Sequence, residues 1–148
     1  MPTRTRRSGR NRRDSGFTLV ELLVVLVILG LLAALAGPRV IAYLGRARTD
    51  TAVVQLEGFR QALDLYRADV GAYPTTQQGL EALLKAPDGN TRWRGPYWSK
   101  SELPKDPWGR DWRYRSPGEH GEYDLYTLGA DDAEGGEGDN RDVKSWSG

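Results

Sequence analysis

One carboxylate in this chain stands where charge is expensive. Glu21 lies inside an apolar run from Phe17 to Gly37, in the stretch Gly16-Phe17-Thr18-Leu19-Val20-Glu21-Leu22-Leu23. A charged side chain at the centre of a membrane helix costs roughly 2.5–3.5 kcal/mol on insertion scales, so such a residue calls for a partner. A second group of chemistry-bearing residues lies near the other end. Asp131, Asp132, Glu134, Glu137, Asp139 and Asp142 stand there among glycines. Oxygen donors at that density suit a hard cation such as Ca2+. A solvated acidic tail is the competing reading. The spacing is not that of an EF-hand, because Asp131 is followed directly by Asp132 and no ligand ladder surrounds a central glycine.

Catalytic chemistry finds little support. His120 is the single histidine and there is no cysteine. No serine motif surrounds that histidine, so it reads as a structural hydrogen-bonding group in a turn, not as a triad base. Absence of cysteine excludes a disulfide framework, a zinc-thiolate site and a thiol nucleophile. The acidic segment has no hydrophobic pocket that would raise a carboxyl pKa for general acid work. No enzyme is expected. Trp93, Tyr97, Trp98, Trp108, Trp112 and Tyr114 have the composition of a base- or sugar-stacking face. They read instead as the cap of a small core, and no nucleic-acid partner is expected.

The elements that must position these residues follow from periodicity. The chain has 148 residues and a net charge of +1, enough for an anchor and one small domain. Residues 1–16 hold Arg4, Arg6, Arg7, Arg10, Arg12 and Arg13 and no apolar period, as expected of a basic leader. Arginines flanking a membrane segment remain cytoplasmic. The apolar block of about 21 residues would span roughly 30 Å as a helix. Gly37-Pro38 should kink or weaken that helix. A helical pattern then resumes, with Val53, Leu56, Phe59, Leu63, Tyr66 and Val70 forming one apolar stripe. One long helix from near Phe17 to near Asp69 is therefore expected, apolar all round at first and amphipathic later. Gly71-Ala72-Tyr73-Pro74 stops it. Thr75 and Gln78 have the spacing of a capping box, so a short helix carrying Leu80, Leu83 and Leu84 should follow. Residues 112–115 and 122–128 alternate apolar and polar, as two strands of an antiparallel hairpin would.

Three explanations compete for the apolar block. Ala34-Leu35-Ala36 has the small residues of a secretory cleavage site. A one-pass anchor is the second, although it gives no reason to keep Glu21. The third is a prepilin-type signal, cut before the apolar run at the bond between Gly16 and Phe17.

Gly16-Phe17-Thr18-Leu19-Val20-Glu21 resembles the processing motif of type IV pilins and pseudopilins. Tyr73-Pro74-Thr75-Thr76-Gln77-Gln78-Gly79-Leu80, Asp106-Pro107-Trp108-Gly109, Ser116-Pro117-Gly118-Glu119-His120-Gly121, Leu128-Gly129-Ala130-Asp131 and Glu134-Gly135-Gly136-Glu137-Gly138 are similar to segments of the major pseudopilins of type II secretion. The resemblance covers about residues 16–146. It implies an α+β, pilin-like fold. In that fold a long N-terminal helix, transmembrane in its first half, packs against a small head with a short helix, an antiparallel β-hairpin or sheet and a C-terminal calcium loop.

It also implies a domain plan: a cleaved cytoplasmic leader over 1–16, a transmembrane and assembly half-helix over 17–38, and a periplasmic head over 39–148. Prepilin peptidase would cut at Gly16 and methylate Phe17. The subunit would polymerise from the bacterial inner membrane into a helical homopolymer with minor pseudopilins. An assembly platform and a cytoplasmic ATPase would drive growth, and the filament would move folded proteins through an outer-membrane secretin. Within the filament, Glu21 of one subunit would meet the new Phe17 amine of a neighbour. Gly30, Gly37 and Pro38 would weaken the helix on assembly. Position by position, the resemblance implies that Asp131 and Asp142 bind Ca2+ through side chains, with Leu128, Asp139 and Arg141 supplying backbone carbonyls. Asp132 stands where the family usually has glycine, and Arg141 adds a positive charge beside the loop. The alternatives are a type IV pilin for adhesion, motility or DNA uptake, and a membrane-anchored or secreted periplasmic binding protein.

Overall fold

The computed structural model describes residues 16–147, so the expected basic leader lies, except for Gly16, outside the described residues. A single helix, α1, runs Leu19–Val70 and continues through Pro38. The expected long helix is thus present. The chain falls into two compact units, one ending at Pro38 and one beginning at Arg39. In the first unit the helix carries Leu and Val on every face, and these side chains are exposed. It is long and apolar enough to cross a membrane.

In the second unit α1 turns amphipathic. Its buried residues are Gly45, Thr49, Ala52, Leu56, Phe59, Ala62, Leu63 and Tyr66, recurring at three and four. Leu56, Phe59, Leu63 and Tyr66 match the expected stripe, but Val53 does not, being 43% exposed. The stripe continues instead through Ala52, Thr49 and Gly45, small residues over which the C-terminal loop closes. Thr49 donates its hydroxyl to the carbonyl of Gly138 at 3.0 Å. Each large apolar side chain of this stripe contributes about 1.5–3 kcal/mol by leaving water.

After α1 the chain passes Pro74, and the capping box forms as expected. The amide of Thr75 donates to Gln78 Oε1 at 2.9 Å, and the amide of Gln78 donates to Thr75 Oγ1 at 3.2 Å. The element it starts is a turn followed by a 3₁₀ segment, Leu80–Leu83, rather than the short helix anticipated. Gly79 at φ 61 breaks helical continuity between them. Strands β1 (Arg113–Arg115), β2 (Asp124–Thr127) and β3 (Val143–Lys144) form one antiparallel sheet in that order. Tyr114 faces Leu125, and Thr127 faces Val143. The anticipated hairpin is β1–β2, while β3 is an addition. Leu125, Val143 and Trp112 complete the core with the α1 stripe, Leu80 and Leu83. Trp93, Tyr97, Trp98, Trp108 and Tyr114 pack around that core, so the aromatics cap it as expected.

Candidate assembly segment and cation loop

The first turn of α1 explains how Glu21 is held. The amide of Thr18 donates to Glu21 Oε2 at 2.9 Å, and the Thr18 hydroxyl reaches the same oxygen at 3.1 Å. In return the amide of Glu21 donates to Thr18 Oγ1 at 3.2 Å. This is a reciprocal capping box, satisfying donors that a helix start otherwise leaves unpaired. The carboxylate therefore has a partner within its own chain. Thr18 is a functional residue beyond those expected, and a threonine three residues before a glutamate is its signal in the sequence. Phe17 beside it is 84% exposed. Gly30 and Gly37 face open space, since a Cβ on either would meet nothing within 4 Å.

The acidic segment is a folded loop between β2 and β3. Gly129, Gly135, Gly136 and Gly138 all adopt positive φ, a region glycine enters without a Cβ penalty. Asp132 also has positive φ, at 56°. Aspartate tolerates that region better than most side chains, so the position can carry a carboxylate on this loop path. Its carboxylate pairs with Arg113 at 2.8 Å and with Arg110 at 3.7 Å.

The residues expected to bind a cation are differently engaged. Asp142 is the best fitted. Its carboxylate is 6% exposed, and Oδ2 accepts from the Gly135 amide at 2.8 Å and pairs with Lys144 at 2.7 Å. Oδ1 is buried with no hydrogen-bond partner. An orphaned buried anionic oxygen is costly and fits a cation as its counterpart. Asp131 is exposed, and its Oδ1 accepts from the Ala133 amide at 3.2 Å. The Asp139 side chain turns toward α1, where Oδ1 accepts from Trp108 Nε1 at 2.8 Å and Oδ2 pairs with Arg48 at 3.2 Å. Only its carbonyl addresses the loop, accepting from the Ala130 amide at 2.8 Å, and a second lone pair remains. Leu128 is buried at the loop's entrance. Arg141 lines a cleft with Val53, Leu56 and Glu57 of α1. No group of three or more His, Cys, Asp or Glu side chains is poised for a metal among the described residues. A cation here would depend on two carboxylates supplemented by carbonyls.

The burial of Asp106 and of Asp124 has no signal in the sequence. Asp106 is 4% exposed and accepts from the amides of Trp108 at 3.0 Å and Arg110 at 2.8 Å. It also pairs with Arg110 Nε at 3.5 Å and accepts the Thr127 hydroxyl. His120 is structural, as expected: Nδ1 lies 3.1 Å from Asp124 Oδ2, and its ring stacks on Trp146 at 4.1 Å. Burial raises the Asp124 pKa, but hydrogen bonds from the amides of Glu119 and His120 and from the His120 ring outweigh it. The net position is below the usual aspartate value.

Comparison with known proteins places this arrangement. Residues 39–146 match the family described as type II secretion system (T2SS), protein G. Residues 11–37 match the prokaryotic N-terminal methylation motif. The type II secretion system core protein G of Pseudomonas aeruginosa is 46% identical over 141 residues, covering 93% of this chain and 98% of that protein. The core protein G of Vibrio cholerae is 46% identical over 140 residues, covering 92% of this chain and 94% of that protein. The crystal structure of the major pseudopilin from the type 2 secretion system of enterohaemorrhagic Escherichia coli aligns with a TM-score of 0.55 at 31% identity. That alignment covers 68% of this chain and 88% of the other.

Proposed function

The chain belongs to the type II secretion system protein G family, and from that membership we propose how its residues serve a growing pseudopilus. It is a major pseudopilin, a structural subunit and not an enzyme. The observation that carries the reading further is the capped start of α1, with Gly16-Phe17 directly before it and an exposed apolar helix after it. Prepilin peptidase cuts between Gly16 and Phe17 and methylates the new amine. The half-helix to Pro38 resides in the inner membrane with its start on the cytoplasmic side, and the unit from Arg39 lies in the periplasm.

Cleavage frees an α-amino group that is ordinarily protonated near neutral pH. In the polymer, Glu21 exchanges its Thr18 partner for the Phe17 amine of an adjacent subunit. Two charges that neither lipid nor protein tolerates singly then neutralise each other. Gly30, Gly37 and Pro38 lower helix stability locally. Among the described residues nothing lies within 4 Å of a Cβ placed on either glycine, which supports a role in assembly. Growth is driven by the membrane platform and its ATPase, with minor pseudopilins as further partners, and moves folded proteins toward the outer-membrane secretin.

Ca2+ would be held by the side chains of Asp142 and Asp131 and by the carbonyls of Leu128, Asp139 and Arg141. Bound there, it would give Asp142 Oδ1 the partner it lacks. Mass analysis of the mature N-terminus tests the processing route. A chain beginning at N-methyl-Phe17 supports it, whereas a chain beginning at Gly37 identifies ordinary secretion and overturns it.

A further inference from the structure

The turn at 106–110 grips the acidic loop at three points. Arg110 reaches the carbonyl of Gly129 and, through Nη1, the carboxylate of Asp132 at 3.7 Å. Trp108 holds Asp139 at 2.8 Å. The turn itself is tied to buried Asp106, whose amide donates to the Arg110 carbonyl at 2.8 Å while its Oδ1 accepts the Arg110 amide at 2.8 Å. Arg113 pairs with the same Asp132 oxygen, Oδ1, at 2.8 Å, and its guanidinium lies 5.9 Å from the centre of the Tyr126 ring. Asp132 reaches both arginines from a left-handed backbone position.

We propose that Arg110 and Arg113 are positioning residues for the cation loop: by clamping Asp132 and the Gly129 carbonyl they keep its first limb folded when no cation is bound. In this chain protein charge does part of what a metal would do. The clause about the cation rests on the calcium reading above, whereas the clamp does not.

Amide hydrogen exchange over residues 130–136 tests it, using the full chain in detergent with chelator and with added Ca2+. Asp132→Asn and Asp132→Gly are both compatible with φ near 56°, so neither should unfold the backbone there. In chelator each variant should exchange roughly fivefold faster than the unaltered chain, the effect of losing a partly exposed ion network. High salt should bring the unaltered chain toward the variants. Arg113→Lys should restore more protection than Arg113→Gln. Added Ca2+ should recover most of the lost protection. If Ca2+ changes neither protein while the acceleration in chelator remains, the clamp stands and the calcium reading falls. If the variants exchange like the unaltered chain in chelator, the clamp is refuted. Acceleration that is equal with and without Ca2+, although Ca2+ protects the unaltered loop, also refutes it.

Discussion

Substituting Gly45 by alanine sets two opposing terms against each other. Alanine in a helix interior is favoured over glycine by about 0.8–1.0 kcal/mol. Here, however, the new Cβ would stand 2.7 Å from Asp139 Cβ, 3.2 Å from its Cγ and 3.3 Å from its Cα. Asp139 has little room to retreat. Its carboxylate is held by Trp108 at 2.8 Å and Arg48 at 3.2 Å, and its carbonyl by the Ala130 amide at 2.8 Å. Overpacking of this kind costs typically about 1–3 kcal/mol. The clash should win by about 1 kcal/mol, lowering Tm by roughly 4 °C for a head of this size. Thermal melting of the full chain in detergent measures it. The double variant isolates the cause: with Asp139→Gly in place the colliding Cβ is gone, and Gly45→Ala should then stabilise. A rise in Tm for Gly45→Ala alone would refute the close approach of loop and helix.

Other outcomes follow from the same contacts. Asp106→Ala should destabilise the head by about 3 kcal/mol, since it strands two amides, the Thr127 hydroxyl and Arg110; an unchanged urea midpoint would contradict this. Because the folded Asp124 pKa lies below its unfolded value, its contribution is complete above the ordinary aspartate range and is lost as pH falls through the folded value. Stability should therefore decline on that acid limb, and Asp124→Asn should flatten it in a pH series of unfolding midpoints. Thr18→Val should fray the first turn of α1 by about 1 kcal/mol, read as faster exchange of the Glu21 amide.

Much of the architecture was legible because it is periodic. The α1 stripe through Leu56, Phe59, Leu63 and Tyr66 and the β1–β2 hairpin announce themselves by spacing. Strand β3 does not, because two residues have no period and Val143 is strand only through pairing with Thr127. The short helix gives way to a turn and a 3₁₀ segment because Gly79 adopts a positive φ that its letter permits but does not require. Val53 looked like core until Ala52, Thr49 and Gly45 proved to be the face the loop covers. Burial of Asp106 is illegible for another reason: its partners are amides of its own turn, invisible as side-chain chemistry. Asp132 looked like a departure from the glycine expected there, yet aspartate can occupy the same backbone region and adds a carboxylate for two arginines.

On assembly Glu21 should change partner, from Thr18 of its own chain to the Phe17 amine of a neighbour. A filament map that resolves the first turn of α1 measures this directly. The Glu21 carboxylate should lie within ion-pair distance, about 4 Å, of an adjacent subunit's amine. A map showing Glu21 still bound to its own Thr18, with every neighbouring amine out of reach, would contradict it.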